Sequence, residues 1–578
     1  TDPDGDGVAE DLVYVDCQQG KDSLTCGSAD EPCGSIDFAW TQRADGVEDG
    51  AEDVICFRGR CAPRRLTPAV GGVTGHITRA ASGSRARAFD YPSEPTMLVG
   101  WDTDGDGEYP PHDPDDVAIL DGGGDRGDDG GLDRAFVLTS KNARLEMAHF
   151  EVHDYGRYSA EERSGFVSFH ERGGLRGDHF YFHDLELRGI NQDQPTQGFR
   201  IVFDFFTGGT AFHHVAFENL AVLDVSGFMV RGSGPYAPPP ESVGGDDGPY
   251  RWQHLSVTAH GCDHSDPACR AGGGSAFVGW KLWGYLSGVE ILDSVFDANV
   301  AAWEPKPNGN GGALWVYATQ CTRDWTVRGN RVRDFKVGFR AEGGDGPYCG
   351  RGGRQVPRRT GELVFEDNHF WNTYGAWRMG DVAVELRGGD DVDRTLDEVV
   401  VRDNVLASVD GFDACIWVDV GHGEPAEGVT PTFPSKEPGD STPGTIRLDG
   451  NTCWGSRAEG RTVGLLLGSH RPWPHRQDDI VLDGNVFAGL GENDLAIRFL
   501  DRPTGLSARD NVFAPAALYV VGGGDDRVWP QDLDGLEAAL EMSLDSIECV
   551  PAFVDPLTGD FRLLTSDGCV RRHAADDD

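Results

Sequence analysis

Short runs of alternating residues recur along the chain. Leu363 and Phe365 in one run, and Val399 and Val401 in another, each lie two positions apart, with charged residues at the ends of the runs. A period of two is typical of β-strands with one buried face. No long segment with helical periodicity competes with these runs before about residue 530. The pattern predicts an all-β chain with a short amphipathic helix within residues 530–548.

A short phrase accompanies these runs, in which an apolar residue is followed by any residue, then Asp or Gly, then Asn. Its asparagines are Asn330, Asn368, Asn404, Asn451, Asn485 and Asn511, and Asn219 stands in a looser copy. The six lie 38, 36, 47, 34 and 26 residues apart. A fixed element between variable insertions predicts a solenoid, with one asparagine per coil stacked inside it and hydrogen-bonded to its neighbours. The alternative is a β-sandwich with independent Asn turns.

Both ends of the chain carry distinctive segments, namely residues 12–40 (LVYVDCQQGKDSLTCGSADEPCGSIDFAW) and residues 550–569 (VPAFVDPLTGDFRLLTSDGC). The first segment resembles the opening, and the second the closing strand, of pectin-lyase-like parallel β-helix proteins. The resemblance implies a single right-handed parallel β-helix with caps at both ends. We expect a cap and first coils in residues 1–134, the β-helix in 135–520 and a C-terminal cap in 521–578. The superfamily includes lyases, hydrolases, epimerases and adhesins, so it indicates fold more than function.

Composition narrows the compartment and the partners. A net charge of -45 disfavours nucleic acid and anionic membranes, and no apolar stretch reaches the roughly 18 residues of a membrane-spanning helix. The 13 cysteines lack zinc or haem spacing, which favours disulfides in an oxidising compartment, with the connectivity open and one cysteine left over. Thr1 without an apolar leader fits a mature chain after removal of a signal peptide. We expect a secreted or cell-surface protein.

Two Asp- and Gly-rich loops predict Ca²⁺ binding. The first contains Asp102, Asp104, Asp106, Glu108 and Asp113 at positions 1, 3, 5, 7 and 12 of a calcium loop, with Gly107 at position 6. Oxygen ligands at these offsets suit a seven-coordinate calcium ion. The second loop begins with Asp2, Asp4 and Asp6 but has Val13 at position 12. Both sites are expected to be structural, the alternative being solvated acidic turns.

The strands that precede the Asn phrases align with one another. If Phe339, Val384 and Ile416 point into the core, alternation directs four pairs outward. These pairs are Trp315 with Tyr317, Arg340 with Glu342, Glu385 with Arg387, and Trp417 with Asp419. The patch would span about 15 Å, the length of a few sugar units. A solvated, salt-bridged face would have the same sequence.

A positive island favours a lyase acting on an acidic glycan. Residues 323–359 hold ten basic and four acidic side chains. Lyases of the resembled superfamily use a Lys or Arg base beside a uronate carboxylate neutralised by calcium or Arg, which suggests Lys336 as the base and Arg340 and Arg387 as neutralising groups. The alternative for Lys336 is an ordinary surface lysine.

Other functions remain open. A hydrolase would use paired carboxylates, for which Glu385, Asp419 and Glu342 are the candidates, with His422 as a weaker acid–base candidate. Trp280 and Lys281 form a second aromatic and basic spot, either a groove wall or a buried stack. A non-enzymatic adhesin or self-assembling fibre subunit is the rival class, and the strong acidity of the chain favours it.

Overall fold

The computed structural model describes the greater part of the strands and their turns. The described residues are 10–36, 38–39, 52–61, 89–90, 96–102, 117–122, 134–138, 142–155, 165–169, 176–190, 201–206, 212–225, 228–233, 250–259, 278–283, 287–298, 314–319, 323–335, 337–342, 362–372, 382–387, 398–409, 412–419, 445–455, 462–468, 479–490, 494–499, 505–514, 518–521, 528–557, 560–564 and 569. The chain forms two compact units, unit 1 (Thr1–Gly279) and unit 2 (Trp280–Asp578).

Nearly all regular structure is β. Up to the unit boundary the strands are β1 (Glu10–Asp16), β2 (Glu52–Cys61), β3 (Phe89–Asp90), β4 (Thr96–Gly100), β5 (Ala118–Asp121), β6 (Arg134–Leu138), β7 (Asn142–His153), β8 (Gly165–Phe169), β9 (Arg176–Arg188), β10 (Ile201–Phe206), β11 (Phe212–Val225), β12 (Phe228–Ser233), β13 (Tyr250–Gln253), β14 (Ser256–Ala259) and β15 (Val278–Trp283).

The strands of the second half are shorter. They are β16 (Ser287–Leu292), β17 (Val295–Asp297), β18 (Leu314–Thr319), β19 (Arg323–Arg328), β20 (Arg331–Arg333), β21 (Val337–Glu342), β22 (Glu362–Glu366), β23 (His369–Asn372), β24 (Val382–Arg387), β25 (Glu398–Arg402), β26 (Val405–Ser408), β27 (Ala414–Asp419), β28 (Ile446–Asp449), β29 (Thr452–Trp454), β30 (Val463–Leu467), β31 (Ile480–Asp483), β32 (Val486–Ala488), β33 (Leu495–Phe499), β34 (Leu506–Arg509), β35 (Val512–Phe513), β36 (Leu518–Val521), β37 (Ile547–Glu548), β38 (Phe553–Asp555) and β39 (Asp560–Leu563).

The strands belong to two large sheets. Sheet 1 has 24 strands and sheet 2 has 13, and β38 and β39 form a separate antiparallel pair. In unit 1, β1, β2, β4, β7, β9 and β11 pair successively in parallel in sheet 1. In unit 2, each coil adds two short strands to sheet 1 and one to sheet 2, as β22, β23 and β24 do. This arrangement is consistent with the predicted parallel β-helix.

The four strands that carry the predicted outward pairs are all present in sheet 2, as β18, β21, β24 and β27. Phe339, Val384 and Ile416 lie in register on neighbouring strands and are fully buried, as predicted. Like side chains also stack in the core, because parallel pairing in register repeats the same position from coil to coil. Phe487 and Phe513, for example, stack with ring centroids 5.5 Å apart.

The predicted asparagine ladder is confirmed in unit 2. Its members, Asn330, Asn368, Asn404, Asn451, Asn485 and Asn511, are at most 1% exposed. Each side-chain Nδ2 donates to Oδ1 of the next asparagine at 2.9–3.1 Å. The same Oδ1 atoms accept the preceding backbone N–H, as Asn404 Oδ1 does from Asn368 at 2.9 Å. Ser294 and Ser546 continue the hydrogen bonds at the two ends.

Asn219 is not a member of this ladder. It lies one position earlier in its coil, at a left-handed turn with φ 53°, and its side chain is exposed. The position equivalent to the ladder is occupied in unit 1 by apolar residues, namely Phe150, Leu185, Leu220 and Leu255, all buried. The loose sequence match therefore found the turn residue rather than the interior one.

A short helix follows sheet 2, inside the predicted segment. This helix, α1 (Leu533–Leu540), begins after Asp532, whose carboxylate accepts the backbone N–H of Gly535 at 2.8 Å. Such an N-cap satisfies a donor that the first helical turn leaves open. Its buried leucines are Leu533, Leu536 and Leu540, and the helix contacts β36. None of the described helices is long and apolar enough to cross a bilayer.

Four disulfides are present among the described cysteines. They join Cys17 to Cys61, Cys26 to Cys33, Cys415 to Cys453, and Cys549 to Cys569. Cys56 and Cys61, near each other in sequence, are not bonded to each other, because both lie on the extended strand β2 and five residues there span about 16 Å. Cys56 keeps a free thiol, and burial raises its pKa to about 12, so it stays protonated and unreactive at neutral pH.

Candidate functional site

Two rows of predicted site residues lie side by side on sheet 2. In one row, Tyr317, Arg340, Glu385 and Trp417 pair in register from β18 to β27. In the other, Thr319, Glu342, Arg387 and Asp419 do the same. Neighbouring positions in a row are therefore about 4.8 Å apart. The predicted alignment is confirmed for the last three pairs but not for β18, because Tyr317 lies beside Arg340 rather than beside Glu342.

The predicted outward position of Trp315 is wrong. Its side chain is fully buried, and its ring lies 5.3 Å from that of Phe296 and 6.2 Å from that of Phe365. The pairing of β18 with β21 places Tyr317 beside Arg340, so the residue beside Glu342 is two positions later than expected. Trp315 therefore belongs to the core and cannot stack on a ligand.

The described basic residues of the positive island do not form one patch. Arg328 and Arg333 lie on β19 and β20 of sheet 1, where Arg328 is 3.8 Å from Glu366 and Arg333 is 3.2 Å from Asp334. Of its described basic residues, only Arg340 lies on sheet 2, half-buried. A coil turns the chain through different faces, so charges close in sequence become distributed around it.

Trp417 is the aromatic residue of the two rows whose side chain the structure describes. It is half-buried and packs against Ala414, Val463, Leu466 and Leu495. Its indole Nε1 donates to the carbonyl oxygen of Gly468 at 3.5 Å. One ring edge is therefore held in place, as a stacking platform requires.

Many other predicted site residues lie outside the described part. They are Lys336, His422, Asp104, Asp106, Glu108, Asp113, Asp2, Asp4 and Asp6. Trp280 and Lys281 lie on β15, and Tyr317, Glu342, Glu385, Arg387 and Asp419 lie on sheet 2, with side chains outside the described residues. Asp102 is described and is exposed.

A second group of candidate side chains lies on unit 1, and the sequence analysis named none of its four members as site residues. His183 on β9 has a carboxylate at each ring nitrogen, with Glu146 Oε1 2.9 Å from Nε2 and Asp184 Oδ2 2.8 Å from Nδ1. Nε2 of His149 lies 3.6 Å from the same Asp184 oxygen. The ring of Tyr181 stacks on that of His183 at 4.2 Å. We call His149, His183, Asp184 and Glu146 the histidine–carboxylate cluster.

Polar residues of the next two coils continue from this cluster. Tyr181 donates its hydroxyl hydrogen to Glu218 at 2.9 Å, and Asn219 Nδ2 donates to Asp184 Oδ1 at 3.2 Å. Nδ1 of His254 lies 3.8 Å from a Glu218 oxygen. Neighbouring parallel strands bring these side chains together, since Ala148, His183 and Glu218 pair in register.

The two histidines of the cluster have pKa values shifted in opposite directions. Burial acts to lower the pKa of His183, but hydrogen bonds to Glu146 and Asp184 outweigh it and raise that pKa. Burial lowers the pKa of His149, with nearby Asp184 and Asp102 acting in the opposite direction. The cluster thus holds one imidazole that favours the charged form and one that favours the neutral form.

A regular spacing in the sequence marks this group. His149, Asp184, Asn219 and His254 follow one another at intervals of 35 residues, and each has a positive φ of 50–61°. Asn, Asp and His are the non-glycine residues most enriched in that conformation. A search for any of the three at constant spacing would have found the column, whereas a search for asparagine alone did not.

An aromatic cleft near the C-terminus is a third feature. It has a volume of about 250 Å³ and is lined by Trp454, Gly489, Leu490, Ala514, Val550, Pro551, Phe553 and Pro556. Trp454 stacks on Trp371, and Phe561 of β39 packs against both rings. Segments near the C-terminus cover these rings, which favours a structural role.

Comparison with protein-family models, with curated proteins and with solved structures finds no match for this chain. The described residues define a disulfide-bonded protein with long parallel sheets consistent with a parallel β-helix. The function of the protein is therefore inferred from the geometry of its own residues.

Proposed function

We propose that this protein is a secreted, right-handed β-helix enzyme of the pectin-lyase-like type that binds Ca²⁺ and cleaves an acidic, uronate-containing polysaccharide by β-elimination. The observation that carries the proposal is the pair of rows on sheet 2. They align Arg340 and Arg387 with carboxylates and with the aromatic residues Tyr317 and Trp417 on four neighbouring strands. A glycan lying across the strands would contact one coil about every 4.8 Å.

The chemistry requires cations beside the uronate carboxylate. When a base removes the proton next to that carboxylate, the electron pair forms a carbon–carbon double bond and the glycosidic oxygen leaves with a proton from an acid. Arg340 and Arg387 would stabilise the enolate-like charge that develops on the carboxylate. Lys336 immediately precedes β21 in sequence and is the proposed base, and the calcium predicted in the loop beginning at Asp102 has a structural role.

Disulfides support the proposed location. The four disulfides of the described residues link strands and loops in both units. Such bonds form and persist in oxidising compartments and are rare in reducing ones. An extracellular polysaccharide is a substrate available in that environment.

The test measures the ultraviolet absorbance of the unsaturated product with alginate, pectate and glycosaminoglycans in the presence of calcium. We expect a rise with one of these polymers and a decrease in kcat/KM of about 10²-fold for Arg340→Gln and for Arg387→Gln. Arg509→Gln is the matched control, since Arg509 is an exposed arginine of sheet 1 paired with Asp483. No absorbance change with any polymer would refute the lyase, and glycan binding without cleavage would indicate an adhesin.

Glycoside hydrolysis is a second candidate, favoured by one spacing. Glu385 pairs with Trp417 and Arg387 with Asp419, so Glu385 and Asp419 are diagonal neighbours. Strand separation and rise place their Cα atoms about 8 Å apart. From that separation, side chains on one sheet face can bring the carboxyl groups into the range of roughly 6.5–9.5 Å found in inverting hydrolases. Release of reducing ends without ultraviolet absorbance, lost in Glu385→Gln and Asp419→Asn, would identify this activity.

A further inference from the structure

Three residues of the histidine–carboxylate cluster bring ligand atoms together on unit 1. One ligand atom from each of His149, His183 and Asp184 lies within 4.8 Å of the other two. Asp184 Oδ2 is 2.8 Å from Nδ1 of His183 and 3.6 Å from Nε2 of His149. Ligand atoms of a tetrahedral zinc ion with bonds of about 2.05 Å lie about 3.3 Å apart. The two measured separations fall on either side of that value.

The residues around these three are arranged as metal ligands usually are. Glu146 Oε1 lies 2.9 Å from Nε2 of His183 and, as acceptor of the Nε2 proton, would fix the ring. Nδ1, which lies 2.8 Å from Asp184 Oδ2, is then the ligand atom once it has released its own proton to solvent on metal binding. Asn219 donates to Oδ1 of Asp184 at 3.2 Å, which leaves Oδ2 on the side of the histidines. A carboxylate behind a ligating histidine raises its basicity and sets its tautomer.

We propose that His149, His183 and Asp184 bind a divalent metal ion of the zinc type. Two imidazole nitrogens with one carboxylate oxygen suit zinc or cobalt, whereas calcium and magnesium prefer oxygen ligands throughout. Side-chain exposures of 36%, 14% and 29% leave the cluster open to solvent. Three protein ligands leave a fourth position for water or for an anionic group of a bound molecule. The three ligands are distinct from the residues of the calcium loops and of the rows on sheet 2, although Asp102 of one calcium loop lies close enough to act on His149.

The backbone at this site allows well-matched variants. His149 and Asp184 have φ values of 61° and 50°, and asparagine tolerates that conformation. His149→Asn and Asp184→Asn therefore remove a ligand without straining the turn. His254 occupies the same turn position with φ 53° and is 51% exposed. His254→Asn is the control, because it removes a histidine from the same column but not from the three ligands.

The experiment uses the full chain, without a polyhistidine tag, after treatment with a chelator. Co²⁺ is titrated and followed by its visible absorbance, and Zn²⁺ competes with it. We expect one equivalent of Co²⁺ to bind, and His149→Asn and Asp184→Asn to weaken binding by at least about 10²-fold, while His254→Asn changes it less than about twofold. Circular dichroism checks that each variant is folded, and if Asp184→Asn is not, His149→Asn alone carries the test.

Glu146 is a positioning residue in this proposal. Glu146→Gln is expected to weaken Co²⁺ binding about 10- to 100-fold while the shape of the cobalt spectrum persists, because the three ligands remain. The proposal is overturned if no stoichiometric Co²⁺ binds, if His254→Asn reduces binding as much as His149→Asn does, or if excess Ca²⁺ displaces the bound Co²⁺.

Discussion

Asn404 provides the most direct test of how unit 2 is held together. Its Nδ2 donates to the carbonyl oxygen of Phe365 at 2.8 Å and to Asn451 Oδ1 at 2.9 Å. Its Oδ1 accepts the backbone N–H of Asn368 at 2.9 Å and that residue's Nδ2 at 3.1 Å. Replacing Asn404 by Ala would leave two donors of Asn368 without this acceptor in a buried environment.

Asn372 offers a matched comparison. It is equally buried, and its Nδ2 donates to the carbonyl oxygen of Phe335 at 2.9 Å, while its Oδ1 accepts no hydrogen bond from the part of the chain that the structure describes. Asn372→Ala deletes the same atoms, so the loss of volume is equal in the two variants. The difference between them reports the orphaned donors of Asn368 together with the lost hydrogen bond to Asn451 Oδ1. A buried donor left without a partner costs about 1–3 kcal/mol, so Asn404→Ala should be less stable than Asn372→Ala by about 2 kcal/mol.

The assay is unfolding in guanidinium chloride under non-reducing conditions, followed by circular dichroism and fluorescence. Coincident transitions for the two probes would justify a single free energy of unfolding. Hydrogen exchange of the Asn368 amide gives a local readout, and its protection should fall in Asn404→Ala only. Equal destabilisation of both variants to within about 0.5 kcal/mol, with unchanged protection of Asn368, would refute the reasoning.

Three further changes test the fold. Replacing Cys415 and Cys453 together by Ala removes the disulfide that closes a loop of 38 residues. The free energy of unfolding, measured under non-reducing conditions, should fall by about 4 kcal/mol, and a fall of less than about 1 kcal/mol would contradict this expectation. Leu536→Ala in α1, where the side chain is fully buried, should cost about 2–5 kcal/mol in the same assay, against little change on replacing the exposed Glu541. Asp403→Asn should raise the melting temperature at neutral pH, because burial and then the charge of Asp367 raise the pKa of Asp403 and so make its ionised form unfavourable in the fold. The wild-type protein recovers this stability as the pH falls through the raised pKa, so the two melting curves should converge below the ordinary value of 3.8, and a constant difference would contradict the assignment.

The asparagine phrase and the aligned strands made the coils of unit 2 predictable. In each coil a left-handed turn residue, Gly or Asp, comes directly before the buried asparagine. This pair of residues therefore occurs six times in the sequence and marks the coils. Pairing in register then places Arg340 beside Glu385, and Glu385 beside Trp417. This part of the fold follows from local chemistry repeated in each coil.

Other features depend on packing and could not be obtained in this way. The sequence alignment placed Trp315 on the outer face of its strand. In the structure, Val316 is buried beside Phe339 and this contact sets the register, and the Trp315 ring also lies in the core. The partner of Cys61 is Cys17, 44 residues away, because β1 and β2 are neighbours in sheet 1. In unit 1, apolar residues replace the asparagines, so the phrase that marks unit 2 is absent from the coils that hold the histidine–carboxylate cluster.

The left-handed turn also affects how binding chemistry can change during evolution. Apart from glycine, few residue types favour its backbone conformation. In the column of turns that repeats every 35 residues in unit 1, the residues in this conformation are His149, Asp184, Asn219 and His254. Two of the three types coordinate metals readily, and the third also has a side-chain oxygen. A random substitution that keeps the turn intact is therefore unusually prone to add or remove a ligand atom. Selection for a stable fold alone would therefore retain, at this turn of each coil, residue types whose side chains can bind ions.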